Sequence, residues 1–428
     1  LFNRLVGKRI AIVEDTPGIT RDRLYATAEW VGREFLLIDT GGLVLDSSDS
    51  ITAQVRAQAE IAVEEADVII LLVDVKDGLT PADIEVANLL RRTRKPVILA
   101  VNKVDNAKLE RDAVEFYALG LGEIYPISSL QGRGIAELLD KVVESLPSSS
   151  EEQQYPEDAI RIAIVGRPNV GKSSMLNAIV QEERAIVSEI PGTTRDAIDT
   201  YFEYDGQSII LIDTAGIRRA GKIQHSVEYY SVLRAIRAIE RADVVFLVID
   251  ASEGITDGDK RVGGYSHEAG RALVIVVNKW DLASQKGVSM HEMARTIRDD
   301  APFMDYAPIT FTSALYGKGV HEAMESAILA AQNHAHRLPT GEVNRLIMDA
   351  VDAHPLSQKG KHFKVYYATM PVVKPPTVVL FVNDPELLHF SYQRYLENQI
   401  RKHYSYEGTP IRIYAKKAEG KSRRGTGG

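Results

Sequence analysis

The sequence predicts an α/β chain, with two doubly wound domains in tandem followed by a small α+β domain. Three observations carry this reading. Short apolar strands alternate with amphipathic helical segments over most of the 428 residues, the pattern of a mostly parallel sheet with helices on both faces. The pattern then repeats: PGITRD at 17–22 returns as PGTTRD at 191–196, and DVIILLVD at 67–74 returns as DVVFLVID at 243–250. From 336 onward the order changes to helix 341–353, strand 361–369, strand 377–383, helix 385–403 and strand 410–415.

The repeat is regular. Gly18 and Gly192, Thr20 and Thr194, and Asp39 and Asp213 are each 174 residues apart, while NKVD (102–105) and NKWD (278–281) are 176 apart. A period this long marks duplicated domains rather than a solenoid. The first is expected over 1–146, closing with the helix GIAELLDKVVESL. PSSSEEQQYPED (147–158) reads as a polar, acidic linker. The second domain is expected over 159–335 and the third over 336–428.

The second domain carries a complete phosphate loop. Strand 160–165 runs into GRPNVGKS (166–173), and the helix continues through Met175, Leu176, Ala178 and Ile179. Gly166 and Gly171 let backbone N–H groups turn inward toward the α- and β-phosphates, with the helix N-terminus adding its dipole. Lys172 is expected to reach the β/γ-phosphates and Ser173 to place its hydroxyl on Mg²⁺. This loop alone fits an ATPase or a kinase equally well. NKWD narrows the base to guanine, since a carboxylate accepts from guanine N1–H and the 2-amino group, and adenine presents no such pair. Between the two motifs, Asp213-Thr214-Ala215-Gly216 supplies the magnesium and γ-phosphate element. The chain is therefore two tandem doubly wound P-loop G domains followed by a small α+β domain. In the first domain LFNRL (1–5) aligns with MLNAI (175–179), so its phosphate loop is expected just before Leu1, in residues preceding this sequence; the alternative is a first domain without the loop, which would bind nucleotide poorly.

Composition agrees with a multidomain chain whose parts can each bury a core. With no cysteine, disulfide frameworks and thiolate metal sites are excluded. The longest apolar runs, VIILLV (68–73) and ALVIVV (272–277), fall well short of the ~20 residues of a membrane span and read as buried parallel strands. No signal peptide is visible, and a cytoplasmic monomer is expected. Charge divides at the last domain boundary. From 337 onward the chain holds 15 Lys and Arg against 8 Asp and Glu, while the remainder holds 36 against 51 within a net charge of −8. A basic end on an acidic body points to a polyanionic partner, with RNA the natural candidate. The plainer alternative is that Lys416, Lys417, Lys421, Arg423 and Arg424 form a solvated tail. The aromatics Phe363, Tyr366, Tyr367, Phe381, Tyr392 and Tyr395 sit at strand or helix spacing and are expected in the core.

These features together resemble the Der (EngA) family of bacterial GTPases: paired PGxTRD switch motifs, two G domains, and a terminal domain containing KPPTVVLFVNDPELLHFSYQRYLENQIR (374–401). The resemblance covers essentially the whole chain. It makes the third domain KH-like, although no GxxG lies between its helices; Gly425 to Gly428 is in the tail. It implies a GTP-hydrolysing switch that assists assembly of the large ribosomal subunit and binds ribosomal RNA according to its nucleotide state.

Further roles follow from the resemblance, residue by residue. Gly166, Arg167, Pro168, Asn169, Val170, Gly171, Lys172 and Ser173 line the phosphates. Thr194 is the switch magnesium ligand and γ-phosphate sensor, with Thr20 its counterpart; Ile19 stands where the second domain has Thr193, and the second Thr is kept in both. Asp213 and Asp39 hold Mg²⁺, flanked by Thr214 and Thr40, Ala215 and Gly41, and the backbone N–H of Gly216 and Gly42 meets the γ-phosphate. Asn278 and Asn102 brace base and loops, Lys279 and Lys103 lay their stems on the purine, and Asp281 and Asp105 accept from guanine. Trp280 and Val104 complete those motifs. Ser313-Ala314, and Ser128-Ser129, resemble the loop whose backbone contacts guanine O6.

The residue after DxxG is Ile217, and Leu43 in the first domain, where a Ras-like enzyme has a water-orienting Gln. Neither can hydrogen-bond water, although each can pack. Catalysis then needs another source of charge; by resemblance to cation-activated GTPases with this NVGKS loop, Asn169 is a candidate K⁺ ligand, or else a loop brace. The segment 217–243 is read as the second switch and its helix; its basic start at Arg218, Arg219 and Lys222 either holds a neighbouring domain or RNA when the γ-phosphate is present or is a solvated loop. Two other functions stay open. One is a GTP-regulated RNA-binding scaffold with one hydrolytically weak G domain. The other is a GTPase serving RNA modification, disfavoured by the lack of Cys and of a modification domain.

Overall fold

The computed structural model describes residues 1–5, 25–40, 59–60, 63, 66–147, 156, 158–182, 185–187, 199–214, 227–358 and 361–418. The chain divides into two compact units, Leu1–Gln153 and Gln154–Gly428.

In the first unit, α1 (Phe2–Leu5) and the antiparallel pair β1 (Tyr25–Trp30) and β2 (Arg33–Ile38) precede a parallel sheet. That sheet runs β3 (Ile69–Asp74), β4 (Val97–Asn102) and β5 (Ile124–Pro126), with α2 (Pro81–Leu90) and α3 (Ala107–Asp112) in the connections and α4 (Ile135–Ser145) following the last strand. Helix α2 starts where a capping box dictates, Thr80 accepting from the Asp83 N–H while Asp83 accepts from the Thr80 N–H. Val101, Leu99 and Phe116 are wholly buried around β4.

The second unit opens with a seven-stranded sheet in the order β12-β11-β10-β6-β9-β8-β7. Its strands are β6 (Ile160–Val165), β7 (Ala185–Val187), β8 (Thr200–Tyr204), β9 (Gln207–Ile212), β10 (Val244–Asp250), β11 (Ala272–Asn278) and β12 (Ile309–Phe311). β12, β11, β10, β6 and β9 are parallel, and β8 and β7 extend the edge antiparallel. Every residue of β10 and β11 is buried, as expected for central parallel strands covered on both faces. One face is closed by α5 (Lys172–Gln181) and α10 (Val320–Ala335). The other carries α6 (Val227–Arg241), α7 (Asp257–Glu268), α8 (Trp280–Gln285) and α9 (Met290–Asp300).

The terminal domain follows the expected α-β-β-α-β order, with a short hairpin added. Helix α11 (Thr340–Ala353) leads into β13 (Ser357–Gln358) and β14 (Lys361–His362), then β15 (Val365–Val372), β16 (Thr377–Val382), α12 (Phe390–His403) and β17 (Arg412–Lys417). β15 and β16 are antiparallel, and β17 lies parallel to β16. The second helix begins at Phe390 rather than 385, because Pro385–Leu387 forms a separate 3₁₀ turn capped by Asp384.

The aromatic residues divide, which corrects the core expectation. Phe363 and Tyr392 are buried, but Tyr366 and Tyr367 are 51% and 43% exposed, and Phe381 and Tyr395 are half-buried. A β-bulge explains the tyrosines: Val365 pairs with Val382 and Tyr367 with Phe381, so Tyr366 is an extra residue that breaks the alternation. Within this unit the domain is bonded backbone-to-backbone to the G domain. Leu273 N–H donates to the Gly408 carbonyl at 2.7 Å, Gly408 N–H to Tyr306 at 2.8 Å, and Lys374 N–H to His334 at 3.0 Å.

Candidate functional site

The motif residues converge at the carboxyl ends of the parallel strands, the place where an open α/β sheet binds ligands. After β6 the chain turns through Gly166 at φ 146° and Gly171 at φ 100°. A Cβ on Gly166 would lie 2.3 Å from the Val248 carbonyl, and one on Gly171 2.2 Å from Asn278 Nδ2. Only glycine fits either position. Helix α5 then starts with no side-chain cap at Gly171, leaving its first N–H groups facing the loop. Lys172 Nζ donates to the carbonyls of Gly166 (2.9 Å) and Arg167 (2.6 Å), so the ammonium lies across the loop's own backbone. Burial lowers the Lys172 pKa to about 8, against a small upward pull from Asp259. Arg167 points away, to Asp259 at 3.0 Å and Glu253 at 2.8 Å. Pro168 and the exposed Asn169, at φ 65°, form the crest of the loop, while Val170 is buried in the core.

Asn278, 2% exposed at the end of β11, ties this loop to the base side. Its Nδ2 donates to the Val170 carbonyl at 3.0 Å, and its Oδ1 accepts from Thr312 Oγ1 at 3.2 Å and the Ala314 N–H at 3.0 Å. Lys279 adopts φ 60° and donates to Asp250 at 2.6 Å. Burial would raise the Asp250 carboxyl, but hydrogen bonds from Lys279 and Ser252 outweigh it and hold the pKa below its usual value. Asp281 accepts from Ser313 Oγ. Trp280 packs edge-on against Phe311 with ring centroids 4.6 Å apart, so its side chain serves the core while its backbone continues the motif.

The first unit reproduces this base side. Asn102 Oδ1 accepts from the Ser129 N–H at 3.0 Å, and Asp105 accepts from Ser128 Oγ at 2.7 Å. Lys103 adopts φ 65° and pairs with Asp74, the counterpart of Asp250. Hydrogen bonds from Ser128 and Lys76 lower the Asp105 pKa. Val104 is buried, and its N–H bonds to Ile127 just as Trp280 bonds to Thr312. Asp39 and Thr40 follow the end of β2.

The DxxG and switch side is partly described. Ser173 stands in the first turn of α5. Asp213 follows β9 at φ 55°, its N–H donating to Asp199 at 2.9 Å, and Thr214 shares a 3.0 Å hydrogen bond with Thr200. Thr20, Gly41, Gly42, Leu43, Thr194, Ala215, Gly216 and Ile217 lie outside the described residues, as do Arg218, Arg219, Lys222, Lys421, Arg423 and Arg424.

Three features were not read from the sequence. Asp199, buried and paired with Arg241, holds Asp213 in place. Asp74 and Asp250 park the base-motif lysines; their signal was the shared final Asp of DVIILLVD and DVVFLVID. Gly134 and Gly319 close the Ser128 and Ser313 loops at φ 70° and 73°, and a Cβ on either would come within 2.2 Å of a backbone carbonyl. Their signal was the repeated GRG and GKG.

A phosphate loop braced to a guanine-selecting strand, with the base half duplicated, defines a tandem guanine-nucleotide-binding protein of the P-loop class. A family model for the 50S ribosome-binding GTPase matches residues 1–103 and again 161–279. One for the C-terminal KH-domain-like region of EngA bacterial GTPase enzymes matches 337–416. The chain is 54% identical over 417 residues to GTPase Der of Geobacillus kaustophilus (strain HTA426), covering 97% of this chain and 95% of that one. It is also 54% identical over 415 residues to GTPase Der of Enterococcus faecalis (strain ATCC 700802 / V583), covering 96% and 94%. Among solved structures, Era in complex with MgGDPNP and nucleotides 1506–1542 of 16S ribosomal RNA is similar at 20% identity and a TM-score of 0.31, covering 60% of this chain and 92% of that one. The chain belongs to the GTPase Der family. It binds guanine nucleotide and hydrolyses GTP. Among the described residues, no helix is long and apolar enough to cross a membrane.

Proposed function

We propose that this GTPase assists assembly of the large ribosomal subunit in the cytoplasm, gripping ribosomal RNA through its basic terminal domain according to the nucleotide held by its G domains. The observation that carries this is mechanical. The strand ending in Asn278 begins at Ala272, and Leu273 on that strand is bonded to Gly408 of the KH-like domain. One buried strand thus runs from the base motif to the bond with the basic domain, and this connection supports a nucleotide-dependent grip. The domains taken to act are 1–146, 159–335 and 336–428.

In the second G domain, N–H groups at the start of α5 and the Lys172 ammonium hold the phosphates. Displacement of Lys172 from two carbonyls exchanges neutral partners for charged ones, a stronger pairing in a water-poor loop. Ser173, Thr194 and Asp213 are the residues that would hold Mg²⁺, which spreads phosphate charge when bound; Thr20 and Asp39 would do so in the first domain. The hydroxyl, carboxylate and phosphate donor set is the hard-oxygen set that this ion takes. Asp281 and Asp105 accept from guanine, and the backbone of Ser313-Ala314 and of Ser128-Ser129 is assigned to its O6. Asn169 is assigned to a K⁺ ion beside the phosphates.

Sedimentation with large ribosomal subunits under a GTP analogue, GDP and no nucleotide tests the reading. Co-sedimentation with the analogue alone, lost in Lys172→Ala, is the expected result. Absence of subunit binding in every state, with hydrolysis intact, overturns it.

A further inference from the structure

The open face of the terminal sheet has the composition of a nucleobase-stacking platform. Tyr367 and Phe381 are directly opposed on β15 and β16, with ring centroids 5.9 Å apart and planes inclined by 42°. Phe381 is in register with Lys416 on β17, and Val379, two residues along β16, with Tyr414, itself 39% exposed. The bulge turns Tyr366 outward beside Tyr367, and Lys364 Nζ sits 5.3 Å from the centre of the Tyr366 ring. The opposite face of the same sheet, including Ala368, Met370, Val378 and Leu380, is fully committed to the core beneath the helices.

Two physical points choose the occupant. Exposed tyrosines on a sheet forgo the burial that would otherwise stabilise them, whereas their faces remain available to planar ligands. None of the residues in β15, β16 or β17 is acidic, while β17 ends in the exposed Lys416 and Lys417; Arg412 at its start is engaged with the Glu268 carbonyl of the G domain. Rings interleaved with cations and free of anions match single-stranded RNA, whose bases stack and whose phosphates pair with ammonium groups. A duplex keeps its bases stacked on each other and cannot use the rings. The segment between the helices carries no GxxG phosphate clamp, so a basic domain of this shape needs a different surface to hold a strand.

We propose that this sheet face binds single-stranded RNA, stacking bases on Tyr367 and Phe381, with Tyr366 and Tyr414 flanking and Lys364 and Lys416 on the phosphates. The proposal rests on the RNA-binding reading above and adds where and in what form the RNA is held.

The test uses the full chain and fluorescein-labelled RNA of about 12 nucleotides, single-stranded or annealed to its complement. Tyr367→Ala is expected to weaken single-strand binding about tenfold, and Tyr367→Phe, which keeps the ring, to stay within about twofold of wild type. Unchanged melting and GTP hydrolysis confirm that the variants are folded. Equal affinity for duplex and single strand, no single-strand binding by wild type, or no effect of Tyr367→Ala overturns the proposal. Sedimentation separates it from the broader reading. If wild type and Tyr367→Ala sediment equally with large subunits, the sheet assignment falls and the ribosomal role stands. If Tyr367→Ala loses oligonucleotide binding while no form sediments with subunits, the sheet assignment holds and the ribosomal role falls.

Discussion

Asn278 and Val170 are 108 residues apart in sequence, yet a 3.0 Å hydrogen bond from the Asn278 amide to the Val170 carbonyl joins the base motif to the phosphate loop. With its other face the same amide accepts the Ala314 N–H at 3.0 Å. The site is a single braced object, and its parts are expected to fail together.

Asn278→Ala is therefore expected to harm both stability and binding. It leaves a buried carbonyl and a buried N–H without their partner, at a cost of about 1–3 kcal/mol in unfolding free energy. The Val170 and Ala314 loops also lose their common tether, and GDP affinity is expected to fall by at least about tenfold, equivalent to 1.4 kcal/mol. Fluorescent-nucleotide titration and denaturant melting check the two effects. An unchanged affinity with lowered stability would show that the loops hold their shape without the tether.

Gly408 carries the junction with the KH-like domain. It sits at φ 79°, and a Cβ there would be 2.4 Å from Ala330 Cβ, on the helix that closes the G domain. Gly408→Ala meets both left-handed strain and overpacking, together about 2–4 kcal/mol. The expected outcome is a lower melting midpoint and faster proteolytic separation of the terminal domain, with nucleotide binding at the distant loops much less affected. A melting curve identical to wild type would mean that the junction yields without cost.

Hydrolysis is expected to depend on the monovalent cation. Asn169 stands at the crest of the phosphate loop at φ 65°, and Ile217 and Leu43 follow the DxxG motifs where a water-orienting Gln would otherwise act. Replacing NaCl with KCl should raise turnover by about tenfold or more, the scale of one added electrostatic contact in a transition state. Asn169→Ala should erase the difference. Equal rates in the two salts for wild type would remove the cation assignment and leave Asn169 a loop brace.

Much of this site was legible because its chemistry is local in sequence. The phosphate loop is eight consecutive residues, the base motif is four, and the duplication showed the base and switch motifs twice. What escaped was set by tertiary placement. The Asp199–Arg241 pair joins residues 42 apart, and nothing in either neighbourhood announces the other. The exposed tyrosines escaped for a different reason. Neighbours in a strand face opposite sides, so Tyr366 and Tyr367 could not both have been core, and the bulged residue then turned both outward. The core of β10 and β11 was legible because strands buried on both faces need no alternation at all.

The junction with the terminal domain is expected to weaken in acid through His334. This side chain is 1% exposed; its Nδ1 shares a 2.7 Å hydrogen bond with Thr409, and its Nε2 has no partner among the described residues. Burial pushes its pKa down to about 4; Asp243 pulls the other way, while Arg271, Lys374 and Arg412 push it lower still. Unfolded, the imidazole titrates near 6.5, so between pH 6.5 and 4 the unfolded chain holds a proton that the folded one refuses. Stability is then full above about pH 6.5 and falls with decreasing pH, by up to about 1.4 kcal/mol per unit, or about 2 kcal/mol by pH 5. His267, also lowered to about 4 by burial with Arg412 and Arg401 beside it, adds a loss of the same sign. His334→Gln keeps a donor and an acceptor for Thr409 but cannot titrate. It should lower stability at pH 7.5 and flatten the acid side of the profile, measured by denaturant melting at intervals from pH 7.5 to 5. A slope as steep as wild type would place the acid sensitivity elsewhere.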